Sequence, residues 1–393
     1  MFITRAVRLF AHGALAVVLV VYLTRSGLSA SQTGLLLTLT LVGDTAVSLY
    51  LTTRADRLGR RRMLIVGAIL MVAAGVTFAL TRNFLLLLVA GTIGVISPSG
   101  NEVGPFLPIE QAALAHVVPP AVRTAVFAWY TLAGSLATAA GSLCGGLLAQ
   151  RFERTAATLL ASYRVVVLLY AALGAVLAVL FTRLSPAAEV AAPEATATRF
   201  GIGRSRAVVL RLSGLFALDA FAGGFVIQSF AAYWFYLRFG VNPAALGMIF
   251  FWANVFAGVS ALLASRLAAR FGLVRTMVFT HLPSNVLLVL VPLMPNLPLA
   301  ILVLLARFSI SQMDVPTRQS YVMAVVRPDE RSAAAGITGV ARTTGAAIAP
   351  VFAGWLFARP SLISVPFFIA GTLKIVYDLL LYRGFVSAPE RGE

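Results

Sequence analysis

Apolar runs of about twenty residues, the length a helix needs to cross roughly 30 Å of hydrocarbon, recur along the whole 393-residue chain. They fall near 3–24, 32–53, 63–81, 84–115, 124–148 and 160–182, and again near 207–237, 243–265, 274–293, 297–326, 333–357 and 361–382. Twelve such runs have to be buried in lipid and against one another. The expected fold is all-α and integral to a membrane. With 60% hydrophobic residues, 11% charged residues and a mean hydropathy of +0.92, a soluble fold is excluded. Between the two sets, residues 183–206 (RLSPAAEVAAPEATATRFGIGRSR) contain no run long enough to span and read as a cytoplasmic linker. The linker separates two six-helix bundles, 1–182 and 207–393.

The net charge of +17 would suggest nucleic acid in a soluble chain. Here the arginines sit in short loops between spans, so anionic lipid headgroups are the expected counter-charge and no nucleic acid is called for. Loops 54–62 and 266–275, the linker and the C-terminal tail carry most of the loop arginines. The alternate loops carry few, namely Arg25, Arg82, Arg151, Arg154, Arg238 and Arg359. The positive-inside rule then puts both termini in the cytoplasm, in a plasma membrane. Tyr22 and the cluster Tyr233, Trp234 and Tyr236 are expected at the outer interface as an aromatic belt. Cys144 is the single cysteine, so no intrachain disulfide forms. The first thirty residues lack a cleavage site and read as a retained span.

The fourth span is interrupted. Ser97–Gln111 (SPSGNEVGPFLPIEQ) is polar, and Pro98, Gly100, Gly104, Pro105 and Pro108 would free backbone groups at membrane depth. Irregular backbone is tolerated there only when buried in protein or facing a wet cavity. Glu102 and Glu110 need the same shelter. This segment is therefore expected to line a pathway.

An internal repeat organises the rest. At an offset of 208 positions Pro108 matches Pro316, Gln111 matches Gln319, Val117 and Val118 match Val325 and Val326, Pro120 matches Pro328, Arg123 matches Arg331 and Gly146 matches Gly354. Gly59 and Arg62 match Gly272 and Arg275 at an offset of 213. Parallel repeats about an axis along the membrane normal are a transporter architecture with its site at the repeat interface. That symmetry would set Glu110 opposite Arg318. Asp314, one turn before Arg318, is a rival partner, and a static bridge is the structural alternative.

The run Thr52–Leu64 (TTRADRLGRRRML) resembles the signature loop between the second and third spans of the major facilitator superfamily. Asp56, Arg57, Gly59, Arg60 and Arg61 match it, while Thr52 and Arg54 stand where Gly and Leu are usual. The resemblance implies two bundles that rock about a central site, a cavity lined by spans 1, 4, 7 and 10, and a cytoplasmic latch at Asp56. Polar residues concentrate on those spans: Arg5, Arg8 and His12; Asn101, Glu102 and Glu110; Asp219 and Gln228; Arg307, Gln312, Asp314 and Arg318. Gly134–Gly146 (GSLATAAGSLCGG) is similar to the glycine-rich fifth-helix motif of the family's proton-coupled exporters, with Gly141-Ser142 in place of Gly-Pro. Small residues at this spacing also pack helices in any membrane protein.

No His/Cys metal spacing, phosphate-binding loop or clustered nucleophile is present, so no enzyme, cofactor, metal or ATP drive is expected. The reading is a monomeric secondary transporter of a small molecule, proton-coupled through Glu110 or, second, Asp219, and directed to export. Uptake by symport, uncoupled facilitation and a non-transporting receptor are the alternatives. Acids mixed with arginines suit a zwitterionic or anionic solute. His12 is expected to bond a neighbour, and Asp44, Lys374 and Asp378, on spans outside the cavity set, to be structural.

Overall fold

The computed structural model describes residues 1–101, 104–153, 158–185, 205–327 and 330–386. Their regular structure is helical throughout, with no strand among the described residues. The first half holds α1 (Phe2–Arg25), α2 (Ala30–Leu58), α3 (Arg60–Leu80), α4 (Phe84–Ile93), α5 (Phe106–Val117), α6 (Pro120–Glu153) and α7 (Leu159–Thr182). The second holds α8 (Arg206–Gly224), α9 (Gln228–Phe239), α10 (Pro243–Phe271), α11 (Leu273–Leu290), α12 (Leu297–Phe308), α13 (Asp314–Val325), α14 (Arg331–Phe357) and α15 (Val365–Phe385). Among the described residues, ten helical segments are long and apolar enough to cross a membrane, α8 and α9 together making one of them. The remaining two spans, the fourth and the tenth, are each broken into a pair, α4 with α5 and α12 with α13. Most of the expected linker lies outside the described residues.

The repeat is visible in how the helices begin and end. Ser29 caps α2 by accepting from the Gln32 N–H at 3.1 Å, and Asn242, 213 positions on, caps α10 by accepting from the Ala245 N–H at 2.9 Å. Asn83 and Asn296, also 213 apart, cap α4 and α12. Gly59 and Gly272 turn the chain between spans with φ of 98° and 85°, a region that favours glycine. From α5 onward the register changes. α5 and α13 begin 208 positions apart and end 208 positions apart. The five-residue difference arises where the spans break: α12 runs two residues longer than α4, and the break at 309–313 is seven residues shorter than the one at 94–105.

The chain forms two compact units, Met1–Ala195 with Ile227–Asn254, and Thr196–Val226 with Val255–Glu393. In the first, α1 packs on α6, α7 and α9, and α3 on α7. In the second, α8 packs on α14 and α15, and α11 on α15. The same span pairs thus recur in both, first with fifth and third with sixth. Large apolar side chains such as Leu85, Leu86 and Val89 on α4 stay exposed, as a lipid-facing surface requires.

Small residues set the closest of these approaches. A Cβ added at Gly145 would lie 2.5 Å from the Ala14 carbonyl oxygen, and one at Gly141 or Gly13 would overlap the carbonyl of Phe10 or Thr138. The glycine-rich stretch 134–146 therefore packs α6 onto α1. In the second unit a Cβ at Gly224 would meet the Ala346 carbonyl at 2.6 Å. The aromatic-belt expectation needs correction: Tyr22 and Trp234 are 2% and 0% exposed. They face protein rather than headgroups, and the Tyr22 hydroxyl donates to the Phe78 carbonyl at 2.6 Å.

Gly141→Val should force α1 from α6 and lower stability by about 1–3 kcal/mol or more. Gly214, exposed in α8 with nothing near its missing Cβ, provides the control. Gly214→Ala should leave stability unchanged or raise it by about 0.5–1 kcal/mol. Thermal unfolding of the two purified variants in detergent compares them, and equal melting points would contradict the packing role.

Candidate functional site

The break in the fourth span is satisfied by side chains. The Tyr170 hydroxyl donates to the Val95 carbonyl. The backbone N–H and hydroxyl of Ser229, in the first turn of α9, donate to the Pro98 carbonyl at 3.1 and 2.5 Å. The Gly104 N–H donates to Asp44 Oδ1 at 2.6 Å, and the Ser97 hydroxyl to the Asn101 carbonyl at 2.7 Å. Backbone freed by prolines and glycines thus finds partners without a helix. Gln228, at the start of α9, donates to the Ser142 hydroxyl at 3.2 Å and accepts from Asn254 at 3.1 Å.

Glu110 follows this break, in α5, and is fully buried. Arg8 of α1 grips it with two hydrogen bonds, Nη1 to Oε1 at 3.1 Å and Nη2 to Oε2 at 2.8 Å. The Thr4 hydroxyl donates to Oε1 at 2.6 Å, and the Tyr130 hydroxyl to Oε2. The bidentate fork is the strongest geometry available to such a pair. Aromatic faces back both arginines, Phe106 at 4.6 Å from Arg8 and Tyr130 at 4.3 Å from Arg5. His12, one turn further along α1, is buried and stacks on Tyr170 at 6.1 Å, with the Asn101 backbone beside it.

The second unit holds a larger network. Lys374 of α15 donates to Asp219 of α8 at 2.5 Å, and Arg318 of α13 stands 3.6 Å from the same carboxylate. Arg318 also bonds Asp314 at 2.6 Å within its own helix. His281 of α11 reaches Asp378 of α15 at 2.8 Å through Nδ1 and Asp219 at 3.8 Å through Nε2. Asn285 donates to Asp378 at 2.9 Å. A hydrophobic cluster, including Leu212, Phe216, Tyr321 and Phe385, packs beside it, with the Phe216 ring 5.5 Å from the Arg318 guanidinium, so these charges are sheltered as well as paired. Asp219, Asp314 and Lys374 stand roughly 14–20 Å along the chain of helical turns from the nearest end of their spans, near the middle of a hydrocarbon slab about 30 Å thick.

The sequence-predicted residues therefore fall into two groups. Arg8, His12, Asn101 and Glu110 gather in the first unit, and Asp219, Asp314 and Arg318 in the second. The pairing of Glu110 with Arg318 is replaced: Glu110 takes Arg8, and Arg318 takes the rival, Asp314. Gln312 enters through its backbone, whose N–H donates to the Ser260 hydroxyl at 3.2 Å. Glu102 lies outside the described residues, as do the side chains of Asp56 and Arg57. Gly59 makes the turn noted above, with Arg60 buried and Arg61 exposed beside it. Asp44 has the structural part expected of it, at the Gly104 N–H. Sequence reasoning missed Thr4, Tyr130, His281 and Asn285, and set Lys374 and Asp378 apart from the charge network they join. A lysine in mid-span was the available signal, since such a residue needs a named partner.

Because a buried pair loses more when one member is removed than when both are, Lys374→Met should destabilise the protein by about 3–5 kcal/mol. The double variant Lys374→Met with Asp219→Asn should recover part of that loss. Melting temperatures of the single and double variants test the coupling, and a double variant as unstable as the sum of both singles would refute it.

The sequence pattern of the Major Facilitator Superfamily matches residues 1–237 and 212–393. An uncharacterized membrane protein of Saccharomyces cerevisiae, YJR124C, is 32% identical over 412 residues, covering 97% of this chain and 92% of that one. Among solved structures, the nucleoside transporter NupG superposes with a TM-score of 0.76 at 12% identity, covering 98% of both chains. A bacterial homologue of the human lysosomal transporter Spinster, inward-facing and unoccupied, gives 0.71 at 15% identity over 98% of this chain and 94% of that one. The xylose transporter XylE from E. coli, partially occluded and inward-open, gives 0.71 at 15% identity over 100% and 97%. At these identities the structures speak for the fold, and the family match across the whole length speaks for descent. The chain belongs to the major facilitator superfamily.

Proposed function

We propose that the chain is a secondary transporter of the plasma membrane, with both termini cytoplasmic, that moves a small polar solute by alternating access coupled to protons and directed to export. The observation that carries this reading is the pair of buried charge networks, one in each compact unit, at a depth where a structural bundle has no need of them. Helical halves 1–182 and 207–393, joined by the linker, are the moving parts in this reading. The arginine-rich loops 54–62 and 266–275 support the orientation, and the loop at Asp56, Arg57, Gly59, Arg60 and Arg61 supplies the cytoplasmic latch. Two of the transporters that share the fold are named for small molecules, a nucleoside for NupG and xylose for XylE.

Coupling follows from the surroundings of Glu110. Every group bonded to its carboxylate is a donor: Arg8, Thr4 and Tyr130. A proton can take the place of Arg8 only when Arg8 is drawn away, so protonation and movement of α1 relative to α5 are linked. Asp219, held by Lys374, Arg318 and His281, is the second candidate and answers to three bases at once.

Proteoliposomes with an imposed pH gradient test the proposal. Addition of a compound panel sorted by charge should dissipate the gradient for one class in the wild type. Glu110→Gln should abolish gradient-driven flux while solute exchange at equal pH continues. Gradient-driven flux that survives in Glu110→Gln would remove Glu110 as the proton carrier, and no flux of any labelled compound in either protein would remove the transport reading.

A further inference from the structure

Along the C-terminal half of α6, the side chains of Ala140, Leu143, Cys144, Leu147, Leu148 and Arg151 line one cavity of about 380 Å³, with Phe251 of α10 as its other wall. These positions run i, i+3, i+4, i+7, i+8 and i+11, so they form a single stripe on one face of the helix. Phe251 lies in Ile227–Asn254, which belongs to the same compact unit as α6. The two helices run antiparallel and nearly touch beside the groove. A Cβ added at Gly146 would lie 2.3 Å from the Pro243 carbonyl oxygen and 2.8 Å from Gly247 Cα, and one at Gly247 would lie 2.7 Å from the Ser142 carbonyl oxygen. Phe251, one turn beyond Gly247, therefore comes level with the Ala140 end of the stripe.

The dimensions of the groove are those of a lipid chain. From Ala140 to Arg151 the stripe runs roughly 16 Å at 1.5 Å per residue, and one leaflet is about half of a 30 Å hydrocarbon slab. Arg151 is exposed in the last turn of α6, two residues from the end of a membrane-spanning segment. With Arg151 at the interface, the stripe descends one leaflet to the midplane. Averaged over that length, 380 Å³ gives a section of about 23 Å², a channel roughly 5 Å across. A helix with its side chains needs about 10–12 Å, so a span of a second copy does not fit, whereas one carbon chain at contacts of about 3.5–4.0 Å does. The walls are apolar until Arg151, and Ala140 and Leu147 are exposed on the face that meets lipid. Arg151 makes no ion pair with a described residue, and Glu153, two residues on, lies about 200° round the helix from it.

We infer that the groove between α6 and α10 binds one acyl chain of an anionic phospholipid whose phosphate is held by Arg151. The guanidinium fork matches two phosphate oxygens, and the apolar stripe below it takes the chain. A soluble phosphate would use Arg151 without the groove, and an apolar solute would use the groove without Arg151. A phospholipid uses both at their observed spacing. Bound there, it covers the flank of the seam at Gly146 and Gly247 where the two backbones meet. Such a site needs a bilayer around the chain and is independent of transport.

The test maps photo-crosslinks on the full chain in nanodiscs by peptide mass spectrometry. Phosphatidylglycerol with a diazirine near the end of one acyl chain is the probe, and phosphatidylcholine with the same chain is the comparison. Phosphatidylglycerol should mark the peptides holding Ala140, Leu143 and Phe251 above those of other lipid-facing helices, and phosphatidylcholine should not. Arg151→Gln should lower that yield about fivefold, the attraction of one arginine for an anionic headgroup, and Arg151→Lys should lower it less. Ala140→Trp, filling the deep end of the groove from an exposed position, should abolish the marking, while Leu85→Trp on the exposed face of α4 should leave it intact. Cys144, half-buried in the groove and the single cysteine, gives a second reading on the wild type that depends on no variant folding. In detergent, phosphatidylglycerol at ten times its half-protecting concentration should slow alkylation of Cys144 by N-ethylmaleimide about tenfold by mass action. Glycerol phosphate, the headgroup without chains, should leave the rate unchanged. Marking spread evenly over the lipid-facing helices, equal marking by both lipids, or protection by glycerol phosphate alone would overturn the inference.

Discussion

A charge held in hydrocarbon must meet its counter-charge inside the protein, and in this chain that requirement fixes which spans touch. Arg8 and Glu110 are 102 positions apart, Lys374 and Asp219 are 155 apart, and His281 and Asp378 are 97 apart. Each pair ties two spans together at one depth and one rotation. An apolar seam between the same helices could slide by a turn at little cost, since lipid is as apolar as leucine. An ion pair cannot, because a slip of one turn strands both charges. Close glycine approaches such as Gly145 against Ala14 set how near the backbones come, and the charges set their register.

The breaks in the fourth and tenth spans follow from the same constraint applied to the backbone. Proline and glycine between 94 and 105 remove helical hydrogen bonds, and the freed groups are met by Tyr170, Ser229, Asp44 and Ser97. The shorter break at 309–313 is flanked by opposite charges at the ends that suit them. Arg307 lies in the last turn of α12 and Asp314 in the first turn of α13, matching a negative C-terminus and a positive N-terminus. Helix ends within the span are thus stabilised by side chains of the opposite charge.

Much of this was legible from residues alone, because hydropathy over twenty positions, loop charge and the repeated offsets depend on neighbours in the chain. The broken fourth span, its polar composition and the two registers of 208 and 213 all belong to that class. The partners of the charges do not. Position along a span gives depth, while the choice of partner needs the rotation of each helix about its axis. Glu110 was matched to Arg318 by symmetry, but a carboxylate bonds what stands within about 3 Å, and Arg8 with Thr4 and Tyr130 does. Arg318 found Asp314 because one helical turn brings it there without any tertiary arrangement. Lys374 and Asp378 were assigned by which spans line a cavity in the family. Their own chemistry, two charges in mid-span with no interface in reach, was the better guide. Tyr22 and Trp234 carry the composition of an interfacial belt and the burial of a core, a difference that only packing decides.

The two networks differ in a way the repeat does not require. Around Glu110 one carboxylate meets the fork of Arg8, two hydroxyls complete it, and the grouping is closed upon itself. Around Asp219 the acids are likewise closed, yet Arg307 and Arg342 remain with buried nitrogens unmatched. The repeat supplies two similar scaffolds, and the buried charges they hold are unequal. A closed pair can open only by exchanging one partner for another. Buried donors without an acceptor carry a desolvation cost that the closed grouping around Glu110 does not, so the same scaffold holds its charges at different expense in its two copies.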